Sequence, residues 1–232
     1  MRCAHADISS DARINSSGLN IHLETNRSRA SRGGTGSTKC AGNYGTALRP
    51  LLDCKKQGFN DNLFLELETY DKGKLESAVL QEMSAANVFF VMKTGEIVTP
   101  SLDRGTILPG VTRDSVLRVI EAFADELKPA MMESTGQDHV KASSRDLTVG
   151  EIKNATECFC TGTAAEICPI RRLATGQGEE EFTMEFAHGA TLPGGPVTAT
   201  LLELFRQVLK GERTVEDSWL RDPFKPLGEF MA

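Results

Sequence analysis

The sequence predicts an α+β (mixed α/β) domain, and three observations carry that prediction. Short apolar runs of strand length are interspersed with longer stretches of helical period. A glycine-rich loop beginning Gly33-Gly34-Thr35-Gly36 leads into the first helical pattern and sets one amine, Lys39, among small residues. The chain has 232 residues, 40% hydrophobic and 25% charged, enough for one sizeable core.

Gly18-Leu19-Asn20-Ile21-His22-Leu23-Glu24 alternates apolar and polar residues as a half-buried strand does, and leads through the basic run Arg27-Ser28-Arg29-Ala30-Ser31-Arg32 into the loop. Over residues 47–57, Leu48, Leu51, Leu52 and Cys54 recur at helical spacing, with Pro50 acceptable only near a first turn. Residues 62–68, 87–92 and 96–99 read as strands. Residues 111–127 are expected as one helix, with Val116, Leu117, Ile120, Phe123, Ala124 and Leu127 on a single stripe. Thr148-Val149-Gly150-Glu151 has the form of a capping box. Cys158-Phe159-Cys160 is expected as a strand entering the turn at Thr161-Gly162-Thr163, and residues 197–210 as a closing helix. Residues 1–18 are polar and expected to be a disordered tail, which leaves 19–232 as the folded domain.

A net charge of -6 gives nucleic acid no basic surface to bind. No apolar run is long enough to span a bilayer, and Met1-Arg2-Cys3-Ala4-His5-Ala6-Asp7 lacks the apolar stretch of a secretory signal. The expected compartment is therefore a reducing interior, cytoplasmic or mitochondrial. The six cysteines are scattered and read as free thiols. Cys158 and Cys160 are expected on opposite faces of their strand, which argues against a metal pair, and no metal ligand set stands out.

An amine among small residues can condense with an aldehyde. On its own, Lys39 is as readily a surface lysine on a glycine turn. Leu108-Pro109-Gly110-Val111-Thr112 opens a helix with free main-chain N–H groups, which suits an anion, or is an ordinary proline-glycine turn. Glu82, placed before an expected strand, is either an acid for a cationic group or a solvated edge charge.

Four blocks in order remove most of that ambiguity. They are the lysine segment Gly33-Gly34-Thr35-Gly36-Ser37-Thr38-Lys39-Cys40-Ala41-Gly42-Asn43-Tyr44; Glu82-Met83-Ser84-Ala85-Ala86-Asn87-Val88-Phe89-Phe90; Thr106-Ile107-Leu108-Pro109-Gly110-Val111-Thr112-Arg113-Asp114; and Thr161-Gly162-Thr163-Ala164-Ala165-Glu166-Ile167-Cys168-Pro169. Together they resemble the branched-chain aminotransferases, pyridoxal-phosphate enzymes of class IV and fold type IV, over residues 29 to about 221.

The resemblance implies the large C-terminal domain of that fold, a mixed sheet or pseudo-barrel flanked by helices. It implies pyridoxal 5'-phosphate as cofactor and transamination of leucine, isoleucine or valine with 2-oxoglutarate. By motif position, Lys39 is the catalytic amine, Glu82 the partner of the pyridine nitrogen and Tyr44 the donor to the ring oxygen. Arg29, Val111, Thr112 and Thr163 fall at cofactor-binding positions, mostly around the phosphate, and the backbone of Ala164 and Ala165 faces the substrate carboxylate.

Three departures stand out. Ala41 replaces a glycine of the lysine motif, Ser84 and Ala85 replace the Gly-Thr of animal members, and Ala165 replaces the first cysteine of their Cys-x-x-Cys pair. Family members also place a small domain before the lysine motif, where this sequence has about 28 residues, so that domain is expected to be missing. The alternative expectation is accordingly a weakly active or inactive homologue that binds cofactor or a partner. The partners expected are small amino and 2-oxo acids, with a homodimer or a full-length homologue as protein partner.

Overall fold

The computed structural model describes residues 18–69, 74–176, 182–186 and 194–215. The tail expected at residues 1–18 lies outside the described residues except for Gly18. Among the described residues nine strands form one mixed sheet: β1 (Leu19–Glu24), β2 (Asp61–Leu65), β3 (Leu80–Met83), β4 (Asn87–Met92), β5 (Glu96–Pro100), β6 (Lys141–Arg145), β7 (Ala155–Gly162), β8 (Glu166–Ala174) and β9 (Thr183–Glu185). Their order is β3-β2-β1-β8-β7-β4-β5-β6, with β9 added to β8. β1 runs parallel to both of its neighbours and β5 parallel to β6; the remaining pairs are antiparallel. The helices are α1 (Ala41–Lys56), α2 (Val111–Ala122), α3 (Ala124–Thr135), α4 (Val149–Ile152) and α5 (Pro196–Leu209).

Strand alternation divides the core in two. On β4, Val88, Phe90 and Met92 join one apolar cluster, while Phe89 and Val91 point the other way into a cluster with α2, α3 and α5. The first cluster collects Leu80 and Met83 from β3, at one end of the sheet, and Val98 from β5, near the other end. Strands that far apart in order meet in one cluster only if the sheet curls towards a half-barrel. The second cluster packs the helices onto the convex face, where Phe89 and Phe159 stack with ring centroids 5.0 Å apart. Burying side chains of this size contributes about 1.5–3 kcal/mol each.

Several boundaries differ from expectation for identifiable reasons. α1 begins six residues before position 47, so Pro50 lies well inside the helix rather than near its first turn. The expected helix at 111–127 is two helices, broken at Phe123, whose backbone leaves the helical region at φ -117° and ψ 27°. Its apolar stripe continues across the break because both helices pack against α5. Glu82 precedes the expected strand, β4, but lies within a strand of its own, β3. The expectation that Cys158 and Cys160 face opposite ways is wrong. Residues two apart on a strand share a face, and both thiols sit with Cys168 in the first cluster, Cys160 directly opposite Cys168. The thiols of Cys40, Cys54, Cys158, Cys160 and Cys168 are free, as expected, and Cys3 lies outside the described residues. The capping box forms as read, with Thr148 Oγ1 accepting from Glu151 N and the Glu151 carboxylate accepting from Thr148 N.

Candidate active site

The lysine loop runs between β1 and α1 and is held by Asn43, in the first turn of that helix. Asn43 Nδ2 donates to Thr35 O (2.7 Å) and Thr38 O (2.6 Å), and its Oδ1 accepts from Thr35 Oγ1 (2.8 Å). A buried side-chain amide thus takes the place of a regular turn and fixes the chain on both sides of Ser37. Lys39 follows, exposed, and among the described residues its amine has no hydrogen-bond or ion-pair partner. Cys40 stands at the start of α1. The Thr35 hydroxyl, with main-chain hydrogen bonds at Asn43 and Gly42, holds its thiol below the usual range, as the positive end of a helix does. Tyr44 is half-buried in the same first turn.

Gly36 joins this loop to the rest of the site. A Cβ there would lie 2.7 Å from the Ala30 Cβ and from the Thr106 Cα and O, so only glycine permits the approach. Beneath it, Arg29, 3% exposed, donates from Nη1 to Gly36 O (3.4 Å) and Thr106 O (3.3 Å), and pairs with Glu82 Oε1 at 2.8 Å.

Glu82 is 2% exposed, and both of its oxygens accept hydrogen bonds. Leu108 N donates to Oε1 (2.7 Å) and Asn87 Nδ2 donates to Oε2 (3.0 Å). Asn87 Nδ2 also donates to Leu108 O (3.0 Å), which ties the first residue of β4 to the 108–110 turn. Burial pushes the Glu82 carboxyl up to about 7, against the opposing pull of Arg29, Leu108 N and Arg113. Gly110 is crowded too, since a Cβ would run into Asn87 Oδ1. The helix that follows starts with Val111, 79% exposed, and Thr112, buried, at its N-terminal N–H groups. Thr163 and Ala164 are exposed, and Ala165 half-buried, in the hairpin between β7 and β8. That turn closes with Glu166 at φ 53°, a conformation that side chains other than glycine seldom adopt.

Four buried polar atoms around this frame have no partner: Arg29 Nε, Thr106 Oγ1, Arg113 Nε and Thr161 Oγ1. Buried polar atoms are nearly always satisfied, so donors left over on one site fit a polar ligand. Together with an exposed amine, a buried acid, a helix N-terminus and two glycines that admit no side chain, they fit an anionic cofactor bearing an aldehyde and a basic ring.

Residues 19–173 match the protein family Amino-transferase class IV. The chain belongs to that family. It is 37% identical over 164 residues to the branched-chain-amino-acid aminotransferase 1, mitochondrial, of Arabidopsis thaliana, covering 71% of this chain and 36% of that one. Against the branched-chain-amino-acid aminotransferase 2 of Bacillus subtilis it is 30% identical over 207 residues, covering 87% and 48%. The chain spans well under two thirds of the length of these curated relatives. Among solved structures, the Escherichia coli branched-chain amino acid aminotransferase superposes with a TM-score of 0.62 at 24% identity, over 90% of this chain and 56% of that chain. The enzyme from Thermobaculum terrenum in its PLP-form (holo-form) gives 0.59 at 24%, over 84% and 52%. The fold expected from the sequence, a mixed curled sheet flanked by helices, is thus the class IV aminotransferase fold.

Of the residues singled out in the sequence, Arg29 and Glu82 are in direct contact and Thr112 sits on the turn that Glu82 holds. Lys39 follows Gly36, which packs on Thr106, by three residues; Tyr44 lies in the first turn of α1 and Thr163 in the β7–β8 hairpin. Sequence reasoning gave no role to Asn43 or Asn87, although both were quoted within motifs. The signal was an asparagine at a fixed place next to each functional residue, where a side-chain amide can replace main-chain partners.

Proposed function

We propose that this aminotransferase domain, taken as residues 19–232, binds pyridoxal 5'-phosphate and transaminates leucine, isoleucine and valine with 2-oxoglutarate, giving the 2-oxo acids and L-glutamate. The observation that carries the reading is Glu82: a buried carboxyl clasped by Arg29, Asn87 and Leu108 N, across Gly36 from an exposed and partnerless Lys39 amine. The names of its curated relatives support the substrate class.

When bound, the cofactor supplies an aldehyde for amines to condense with and a ring that withdraws electrons from the α carbon. Lys39 would hold it through its amine and would move the proton at the substrate α carbon as base and acid. Glu82 answers the ring nitrogen. Its Arg29 partner favours the ionised form that this requires. Tyr44 donates to the ring oxygen, and Val111, Thr112, Thr163 and Arg29, through its free Nε, serve the phosphate. The backbone of Ala164 and Ala165 receives the substrate carboxylate.

The exposure of Lys39, Thr163 and Ala164 favours a second reading for the isolated chain: weak turnover until a second copy or a full-length homologue closes the site, because water at an open site weakens the electrostatics on which proton transfer relies. The proposed compartment is the cytoplasm or the mitochondrial interior, supported by the mitochondrial relative; no helix among the described residues is long and apolar enough to cross a membrane.

Borohydride added to protein given pyridoxal phosphate should fix the cofactor to the peptide containing Lys39, and Lys39→Ala should abolish the label. Label on a different lysine would overturn the assignment. Sedimentation with a leucine and 2-oxoglutarate assay separates the two readings: a monomer that turns over at ordinary rates of about 1–1,000 per second removes the second.

A further inference from the structure

Glu66 follows β2 and is buried, although it lies in an alternating Leu-Glu-Leu-Glu stretch that looks like a solvated edge. Its carboxylate accepts from Arg32 Nε on Oε1 (2.5 Å) and from Arg104 Nη1 on Oε2 (2.6 Å). Arg104 also grips Asp146, with Nε 2.9 Å from both carboxylate oxygens and Nη2 2.5 Å from Oδ2. Arg32 immediately precedes Gly33 of the lysine loop. Arg104 stands in the turn that delivers Thr106, Leu108 and Gly110. The two halves of the site, amine loop and anion cradle, therefore end on the same carboxylate.

The halves are also joined at Glu82, which pairs with Arg29 at 2.8 Å and accepts from Leu108 N at 2.7 Å, but that link is anchored before the loop begins. Direct contacts are longer: Arg29 Nη1 reaches Gly36 O and Thr106 O at 3.4 and 3.3 Å, and Gly36 packs on Thr106. An exposed ion pair contributes little, but here the acceptor is buried and shared, so both hydrogen bonds are charge-assisted and shielded from water on one side. The Arg32 side chain is 50% exposed and turns its guanidinium onto a carboxylate that is 2% exposed. This ties a surface loop to the sheet.

We propose that Glu66 is a positioning residue: through Arg32 and Arg104 it holds the Lys39 loop and the 108–112 segment in register, so that amine and anion site engage one ligand together. The inference rests on the proposed cofactor, and Glu66, Arg32 and Arg104 touch neither cofactor nor substrate.

The test compares the wild type with Glu66→Gln, Glu66→Asp, Arg32→Gln and the double variant Arg32→Gln/Glu66→Gln. Four quantities are read: the dissociation constant for pyridoxal phosphate, the pH midpoint of the bound cofactor's absorbance change, borohydride labelling of Lys39, and thermal unfolding without cofactor. Arg32→Gln should leave unfolding of the free protein unchanged yet weaken binding about three- to tenfold and shift the midpoint. Glu66→Gln should weaken binding by about tenfold or more, Glu66→Asp less, and the double variant no further than Glu66→Gln alone. Wild-type affinity and midpoint in Arg32→Gln and Glu66→Gln overturn the proposal, as does weaker binding that merely tracks a lower unfolding temperature. If Glu66→Gln does not fold, Arg32→Gln decides by the same criteria. A wild type that fails to label at Lys39 refutes the cofactor reading, and this proposal with it; labelled wild type with unmoved variants refutes this proposal alone.

Discussion

The acid end and the amine end of the site are built by opposite means. Glu82 is part of a strand, 2% exposed, with each carboxylate oxygen held by the sheet and its neighbours. Lys39 hangs on an exposed loop that has no strand or helix of its own and borrows its shape from Asn43 and a distant carboxylate. In the proposed function, the charge that would stay near one ring atom is set in rigid structure. The amine that would leave one bond and return to another sits on a loop, which gives it slack. Perturbing the first should unfold the protein, whereas perturbing the second should silence it.

The sharpest break of that contrast is Glu82→Ala, which leaves the Arg29 guanidinium buried without its partner and should lower stability by about 3–5 kcal/mol in urea unfolding. Replacing Glu82 and Arg29 together with leucine should restore much of that stability while abolishing cofactor binding. A double replacement as unstable as Glu82→Ala would show that the pair holds the fold and not the ligand. Gly36→Ala comes next. Its Cβ meets the Thr106 main chain, which cannot rotate aside, so a loss of about 1–3 kcal/mol and weaker cofactor binding are expected. Unchanged binding in that variant would show that the loop can slide without harm.

A third expected effect is a slope with pH. Glu82 is pushed up to about 7 and Asp61, buried on β2, to about 6, both above their unfolded values. Below an unfolded carboxyl value of about 4.3, protons are bound in both states and there is no difference. As pH rises, the unfolded chain loses its protons first, so stability should fall through the window from about 4.5 to about 7 and then level off. Urea midpoints at pH 5 and 8 measure it. Glu82→Gln should flatten the slope, and an unchanged slope would assign it to Asp61 and Glu157, whose carboxyls burial also pushes up.

Much of the fold could be read from the chain because its signals are local. Alternation marked β1, a short apolar run marked β4, the capping box marked α4, and glycines marked the lysine loop. The early start of α1 was not legible because Gly42, Asn43, Tyr44 and Gly45 are weak helix formers and its Cys40 N-cap makes no side-chain cap. β6, Lys141-Ala142-Ser143-Ser144-Arg145, has no apolar alternation because it is an outer strand and only partly buried. The candidate site was legible in its residue types and illegible in its wiring. No spacing rule says that Glu66 is buried or that Asn87 reaches both Glu82 and Leu108, because those contacts depend on segments that only the folded sheet brings together.

The place of β1 in the sheet has a consequence for how the chain acquires its structure. Leu19 pairs with Ile170 on one side and Ile21 with Asp61 on the other, so the first strand among the described residues lies inside the finished sheet. Until β8 has left the ribosome, β1 presents an unpaired edge next to the fully apolar faces of Leu19, Ile21 and Leu23. Folding must wait for pairings of high sequence separation, which are slow to close. During that wait the nascent chain is most open to aggregation, and chaperones that cover exposed strand edges would act there.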